Sequence, residues 1–344
     1  LEASKYGWEY ENYSNGPVAY DFYGFPFNRP GTLLTAGQFN QYTKDHNNYF
    51  TVSLAYTGQI EDHALKVGAS YQRWTVRRYQ YFSPSNFLTT IRNNPDQARD
   101  SLQALFGSTL FNDLNNYGFD ILGNETDEEG AFAPKHPVFA SGYLTDRIEV
   151  NDLIINAGLR YDYISMDSWA WANPRLPLFD RTTHLIPDSA LTDASTFSYI
   201  SPRLGFAFPV TDRTVFHLQF GKFVQAPSLD QAYKGVYEAT QQIQASNLFG
   251  NLVIAYNPDP IRTTQYEIGF SHQFTDFAAF DITAFYKDIK GQLQYAVVNT
   301  DPGALRSKYN VFTNQDFSTN TGVELSLKIR RVDRISANIN YTFS

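Results

Sequence analysis

The chain has 344 residues, a length that fits one large domain or two ordinary ones. Its 27 Lys and Arg against 35 Asp and Glu give a net charge of -8, which argues against a nucleic-acid partner because phosphate backbones bind cationic surfaces. Without cysteine, the chain forms no disulfide, thiolate metal site or cysteine nucleophile. Aromatic residues reach 16%, but no run of about eighteen apolar residues occurs, so the sequence predicts no transmembrane helix.

Ten stretches alternate apolar and polar residues with a period of two, which is the pattern of strands with one apolar and one polar face. In the clearest stretch, from Thr264 to Phe274, even-numbered positions hold most of the apolar side chains and odd-numbered positions hold the polar ones. The predicted strands, in chain order, are 48–57, 64–74, 137–146, 152–163, 199–209, 214–224, 263–274, 279–289, 321–331 and 335–343.

The lengths of these strands and of their connections favour a membrane. Each strand has about ten residues, as a tilted strand needs to cross a bilayer, whereas strands of soluble proteins usually have about five or six. Short polar turns join the strands in pairs, and four long connections separate the pairs, at 75–136, 164–198, 225–262 and 290–320. Soluble antiparallel sheets share the alternation but seldom this asymmetry. The sequence therefore predicts an all-β fold, an antiparallel transmembrane β-barrel with short periplasmic turns and long extracellular loops.

Two long connections space apolar residues as a helix does, in Asp96 to Leu114 and in Ser228 to Leu248. We expect short extracellular helices there. Trp169 and Trp171 follow a predicted strand closely. Their rings either lie at the lipid headgroups, where amphipathic aromatic groups are favoured, or form the core of the loop itself.

The sequence offers no catalytic constellation and no cofactor motif. Its six histidines are scattered at positions 46, 63, 136, 184, 217 and 272, and motifs of zinc proteases, serine hydrolases and P-loop enzymes are absent. His217 and His272 lie within predicted strands, where we expect polar wall residues rather than ligands or bases. We therefore predict a protein that is not an enzyme and that binds no cofactor.

One loop has the spacing of a weak calcium site. Glu125, Asp127 and Glu129 alternate before Gly130, as in the first half of a calcium-binding loop. The twelfth position, which needs a bidentate glutamate, holds His136 instead. A solvated acidic loop is the expected structure.

Loops rich in Tyr and Asn, such as Tyr6 to Tyr23 and Tyr79 to Phe82, have side chains that suit an external binding surface. The same rings suit the upper aromatic girdle of a membrane barrel. The sequence therefore assigns no ligand-binding residue.

Five segments resemble the barrel of TonB-dependent outer-membrane receptors, especially the large Oar-type, carboxypeptidase-regulatory-like forms common in Bacteroidota. They are, in chain order, NDLIINAGLRYDY (151–163), SPRLGFAFPVTDRTVFHLQFGKFVQAP (201–227), TTQYEIGFSHQF (263–274), ITAFYKDIKGQL (282–293) and TGVELSLKIRR (321–331). Their order is that of the family, and they are spread along the chain from residue 151 to residue 331.

The resemblance implies a 22-stranded barrel with an N-terminal plug domain and an energy-coupling box. About ten strands are recognisable here, and neither plug nor box is. We therefore expect residues 1–344 to be part of a single barrel domain whose remaining strands and plug lie outside this chain. An uncovered strand edge would leave backbone groups that lipid cannot satisfy.

Residues within the resembling segments have physical roles of their own. Gly221 lies on the polar face of its strand, where a missing side chain lets a bulky group approach closely. Glu267 and Glu324 are predicted on lumen faces, and Lys328 and Arg330 share the face of Glu324. These charges either pair across the wall or with a pore-filling element, or they are solvated.

We expect a receptor in the outer membrane of a Gram-negative bacterium, which takes up a scarce siderophore, glycan, peptide or vitamin with energy from TonB. The implied partners are membrane lipid, the TonB complex acting through the plug, the small solute and, as in large receptors of this type, a surface lipoprotein. Two other classes stay open. One is a barrel protease using loop residues such as Asp127, His136 and His184, and the other is a structural barrel on which lipoproteins dock.

Overall fold

The computed structural model describes residues 2–13, 42–81, 114–119, 123–129, 133–176, 188–194, 196–233, 253–255, 258–304, 307–332 and 334–344. Strands dominate these residues. Helices within these ranges are too short or too polar to cross a membrane.

Eleven antiparallel strands form one continuous meander in which each strand pairs with its neighbours. All strands, in chain order, are β1 (Glu2–Tyr13), β2 (Tyr42–Ile60), β3 (His63–Tyr81), β4 (Leu114–Tyr117), β5 (Val138–Val150), β6 (Leu153–Ser165), β7 (Trp169–Trp171), β8 (Leu191–Asp193), β9 (Phe197–Thr211), β10 (Thr214–Gln225), β11 (Val253–Ala255), β12 (Ile261–Thr275), β13 (Ala278–Asn299), β14 (Lys308–Val332) and β15 (Ile335–Phe343). The short strands β4, β7, β8 and β11 lie outside the meander.

The short strands lie in the long connections. Strand β4 pairs with the end of β3, and β11 pairs in parallel with β14. Strands β7 and β8 form a separate two-stranded sheet. Within the described residues, β1 and β15 are edges that do not pair with each other, so the sheet is an open section of wall.

The ten predicted strands coincide with ten strands of the meander. Eight lie wholly within the observed bounds, and 137–146 and 152–163 each begin one residue before the observed strand. Strand β1 escapes the sequence pattern, because neither alternate set of residues in Glu2–Tyr13 is consistently apolar. The connection predicted over 290–320 is wrong, since β13 continues to Asn299 and β14 begins at Lys308. A bilayer is crossed in about 9 to 11 residues. The remaining residues of these long strands extend beyond that length, and apolar residues there occur on both faces, as at Val297 and Val298, which removes the alternation.

One face of the wall is apolar and exposed. On β12 it carries Tyr266, Ile268 and Phe270, which are 51%, 49% and 39% exposed. The register places further exposed apolar side chains on the same face of the neighbouring strands, namely Leu54, Val67, Leu144, Leu159, Leu204, Leu218, Tyr286, Leu325 and Ile339. A continuous apolar surface of this extent fits contact with lipid. The opposite, polar face is termed the lumen face.

The lumen face confirms the close approach predicted at Gly221. A Cβ at this position would lie 2.8 Å from the ring of Phe223, which covers the glycine. The guanidinium carbon of Arg203 lies 4.7 Å from the centroid of the same ring. A glycine, an aromatic ring and a cation are thus packed in succession on the lumen face.

Gly269 lets side chains of two flanking strands meet across β12. Its register partners are His217 on β10 and Thr283 on β13. His217 Nε2 lies 3.1 Å from Thr283 Oγ1, and Thr283 in turn donates to Asp281 at 2.9 Å. A Cβ at position 269 would lie 2.4 Å from the carbonyl oxygen of Ile282, which the backbone holds in place.

We predict that Gly269→Ala lowers the free energy of unfolding by about 1–3 kcal/mol, because the methyl group overlaps a backbone oxygen and the His217–Thr283 hydrogen bond. Gly142→Ala is the matched control, since the nearest atom to its added Cβ is a backbone oxygen at 3.9 Å. Urea unfolding in lipid vesicles, followed by tryptophan fluorescence, measures both variants. Equal losses in the two would contradict the steric explanation.

Candidate functional site

A cavity of about 480 Å³ opens on the lumen face between β3 and β12. Glu267, predicted to face the lumen, lines this cavity with Gln265, His217 and Arg203. Gln265 Nε2 donates a hydrogen bond to Glu267. The carboxylate is therefore held by an amide and forms no ion pair within the described residues.

The other predicted lumen charges make no ion pairs within the described wall. Glu324 lies opposite Thr283 on β13 and Thr342 on β15. Lys328 lies opposite Ala279 and Asn338, so no acid faces it across the strands. Of the alternatives that the sequence leaves open, pairing within this part of the wall is not observed.

The two strand histidines contact hydroxyl groups of other strands of the wall. His217 contacts Thr283, as described above, and His272 Nδ1 lies 2.9 Å from Thr214 Oγ1. These contacts hold each imidazole against the wall. Such an arrangement fits polar wall residues, and within the described residues no second histidine contacts either ring.

A short helix, Leu229–Tyr233, packs against the lumen side of the wall at its extracellular end. The sequence predicts a helix over Ser228 to Leu248, and the structure shows this first part, while residues 234–248 lie outside the described ranges. The buried residues here, termed the inner cluster, are Val76, Tyr117, Ile164, Met166, Ala232 and Tyr233. The helix predicted over Asp96 to Leu114 lies almost entirely outside the described ranges.

Tyr233 is the centre of the inner cluster. Its side chain is fully buried, its hydroxyl donates to the carbonyl oxygen of Met166, and its ring lies 5.4 Å from that of Tyr117. Burial raises the pKa of both phenols. Both therefore stay protonated at neutral pH, and Tyr233 keeps its hydrogen-bond donor.

Arg78 ties the short helix to the wall electrostatically. Its Nε lies 2.7 Å from one carboxylate oxygen of Asp45, and its Nη2 lies 3.1 Å from the other. The remaining terminal nitrogen contacts Asp230 in the short helix. A single arginine therefore joins β2, β3 and the loop that follows β10.

The two loop tryptophans form a loop core rather than a headgroup anchor. Trp171 is 2% exposed and packs with Ala190, Tyr309 and Val311, and Trp169 packs against this cluster. Ion pairing adds to the contact, because Arg175 Nη2 lies 2.8 Å from Asp301 Oδ1. The β7–β8 hairpin thus docks onto the upper parts of β13 and β14.

The acidic loop that contains the weak calcium candidates is ion-paired to the wall. Glu125 contacts His46 and lies 3.8 Å from Arg77, and Asp127 contacts Arg77 directly. Glu129 lines a cavity of about 840 Å³ beside these groups. Within the described ranges, no three acidic or histidine side chains are grouped as metal ligands. Arg77 already holds the carboxylate of Asp127, and calcium binding stays a prediction.

The loop residues of the protease alternative are only partly described. Asp127 binds Arg77, and His136 Nδ1 lies 3.6 Å from Asp167 Oδ2. His184 lies outside the described ranges. In the described part of the chain, no serine or threonine hydroxyl forms a hydrogen bond with His136.

The structure describes only part of the two aromatic segments predicted as binding loops. Tyr79 lies in β3 rather than in a loop, is 2% exposed and has its ring 6.2 Å from that of Phe119, so it is packed and offers no free surface. Much of Tyr6 to Tyr23 lies outside the described ranges, and its first part is within β1.

The cations stacked on aromatic rings of the lumen face are features that sequence reasoning misses. Arg203 and Phe223 are twenty residues apart, and Lys66 lies 5.8 Å from the ring of Tyr143 on another strand. Alternation shows that each side chain points to the lumen. Only the register between strands shows which ones meet.

Comparison with protein families shows that the profile described as TonB dependent receptor-like, beta-barrel matches residues 3–344. Among solved structures, the chain is similar to the copper transporter OprC, with a TM-score of 0.50 and 11% identity, covering 91% of this chain and 40% of that one. It is also similar to the outer membrane transporter YddB from Escherichia coli, with a TM-score of 0.52 and 12% identity, covering 89% of this chain and 34% of that one. The chain thus spans less than half the length of either structure. A comparison with curated proteins finds no match.

We predict that Tyr233→Phe loosens the short helix by about 1–3 kcal/mol, because the Met166 carbonyl loses its buried donor. Tyr295→Phe is the control, since that phenol is 67% exposed. Hydrogen exchange of residues 229–233, measured by mass spectrometry, reports the local opening. Unchanged exchange in Tyr233→Phe would show that packing alone holds the helix.

Proposed function

Because the chain belongs to the TonB-dependent receptor-like β-barrel family, we propose that the whole protein is a receptor that takes up a scarce solute with energy supplied through TonB. Its place is the outer membrane of a Gram-negative bacterium. The observation that supports transport best is the two-faced wall, in which consecutive strands turn apolar side chains to lipid and polar ones to a lumen.

The folded loops support capture of the solute at the extracellular side. The inner cluster and the β7–β8 hairpin both order long connections against the wall. Ordered loops lose less conformational entropy on binding than free ones do. A siderophore, glycan, peptide or vitamin fits this role, and the similar structures include a copper transporter.

We further propose the Oar-type, Bacteroidota-like subtype, which the five resembling segments from 151–163 to 321–331 support. In this proposal a plug domain outside the present residues blocks the lumen and contacts TonB. A surface lipoprotein partner is part of the same proposal, and co-purification from crosslinked outer membranes tests it. A barrel that retains the lipoprotein but transports nothing would instead be the structural docking base.

A barrel protease is the alternative from another class. It would need Asp127 and His136 as reacting groups, but Asp127 is bound to Arg77. Hydrolysis of a peptide panel by the purified protein, abolished by His136→Ala or His184→Ala, would support this alternative. Transport without hydrolysis supports the receptor.

The predicted outcome for the receptor is uptake that needs both this protein and TonB. Energised cells of a strain that produces the full-length protein are incubated in spent growth medium, and mass spectrometry measures which solutes are depleted. We expect at least one solute to be depleted by the wild-type strain and left in the medium by strains lacking either the receptor or TonB.

Two results would contradict this function. Depletion that persists without TonB would indicate a passive channel. Identical media from the wild-type and receptor-deletion strains, across iron-poor, cobalamin-poor and glycan-rich conditions, would leave the receptor proposal without a solute.

A further inference from the structure

A second cavity on the lumen face has a volume of about 260 Å³, and all of its charged lining residues are positive. Lys66, Arg160 and Arg203 supply the charge, and Tyr143 and Thr145 supply hydroxyl groups. No carboxylate lines this cavity. The positive charge contrasts with the chain as a whole, whose net charge is -8.

The sheet register assembles this cavity from four adjacent strands. Lys66 on β3 is opposite Thr145 on β5, Thr145 is opposite Gly158 on β6, and Gly158 is opposite Arg203 on β9. These residues form one row across the lumen face. Gly158 has no side chain, and the Thr145 methyl group packs over it, since a Cβ there would lie 3.1 Å from Thr145 Cγ2.

Two of the three cations have no acidic partner in the described wall. Lys66 and Arg203 form no ion pair there, whereas Arg160 Nη2 lies 2.8 Å from Asp162 Oδ1. In the adjoining 480 Å³ cavity, Glu267 is hydrogen-bonded by Gln265 and makes no ion pair with Arg203. The described wall therefore neutralises neither the Lys66 charge nor the Arg203 charge.

Aromatic rings position both unpaired cations. Lys66 Nζ lies 5.8 Å from the ring centroid of Tyr143, and Arg203 Cζ lies 4.7 Å from that of Phe223. Each ring covers a glycine, since a Cβ would lie 2.4 Å from Tyr143 at position 68 and 2.8 Å from Phe223 at position 221. A ring face attracts a cation without neutralising its charge, so the N–H donors stay available.

We propose that this cavity binds an anionic group, a carboxylate or a phosphate, of the solute that the receptor transports. The inference rests on the proposed function and names the chemical class of the solute. The guanidinium of Arg203 matches two oxygens of such a group through parallel hydrogen bonds, and Lys66 adds a second charge from the other side of Gly158. The Thr145 hydroxyl lies beside them and donates to the Lys66 carbonyl oxygen at 3.5 Å.

The test uses the full-length receptor purified in detergent at low ionic strength, with citrate as the carboxylate probe and pyrophosphate as the phosphate probe. Isothermal titration calorimetry measures binding to the wild type and to Arg203→Gln, Lys66→Gln and Arg203→Lys. Arg213→Gln is the matched control, because it removes one positive charge at an exposed turn where Arg213 pairs with Asp276 at 3.0 Å.

We expect one probe to bind the wild type and to bind Arg203→Gln and Lys66→Gln at least tenfold more weakly. Arg203→Lys keeps the charge without the two-pronged geometry and should give an intermediate loss. Binding to Arg213→Gln should stay within about twofold of the wild type, and salt should weaken binding to the wild type. The probe that binds identifies the anionic group.

Three results would overturn the anion site. The first is that neither probe binds, and the second is that a probe binds Arg203→Gln as tightly as the wild type. The third is that Arg203 is protected from phenylglyoxal in the absence of a probe, which would show that protein fills the cavity. Heat-modifiable migration on SDS gels checks that each variant is folded, and Lys66→Gln tests the site independently of Arg203. TonB-dependent uptake without probe binding refutes this site alone, whereas probe binding without uptake refutes the receptor function alone.

Discussion

The hydrogen-bonded ladder between neighbouring strands is the constraint on which the rest of the structure depends. A bilayer offers no partner for backbone N–H and C=O groups, so a membrane-spanning strand must pair on both sides along its length. The register from Arg262 opposite Lys290 to Gln273 opposite Ala279 is unbroken between β12 and β13. A slip by one residue would turn Tyr266 and Ile268 into the lumen and expose Glu267 to lipid. Pairing therefore fixes which chemistry each side of the wall presents.

Glycines on the lumen face turn this ladder into a surface that displays cations. At three places a ring covers a glycine and carries a lysine or arginine over its face, and these sets are Gly68 with Tyr143 and Lys66, Gly221 with Phe223 and Arg203, and Gly322 with Phe285 and Lys287. An aromatic ring over a strand glycine replaces the packing that the missing side chain would give. The cation then lies above a weakly attractive ring instead of beside an acid. Wall stability and lumen electrostatics are thus supplied by the same residues.

Beyond the membrane, the strands become a support for folded loops. Strands β13 and β14 have 22 and 25 residues, at least twice the roughly 9 to 11 residues needed to cross a bilayer. Their upper parts hold the β7–β8 hairpin, and the upper part of β3, with β4 paired to it, holds the short helix through Arg78 and Tyr117. Loop order at these two places comes from apolar burial reinforced by a few ion pairs. Because both contacts join elements distant in the chain, binding at one loop has a physical route to the wall.

The sequence by itself determined the all-β class, ten of the eleven meander strands and the face of each side chain, because a strand imposes a period of two on any chain that places lipid on one side and water on the other. It also determined the close approach at Gly221. Tertiary structure alone decided that Trp171 lies in a loop core, that Asp127 binds Arg77, and that Lys66 and Arg203 line one cavity. Those contacts join residues tens to more than a hundred positions apart. Local periodicity carries no information about such pairs, which the order and register of the strands establish.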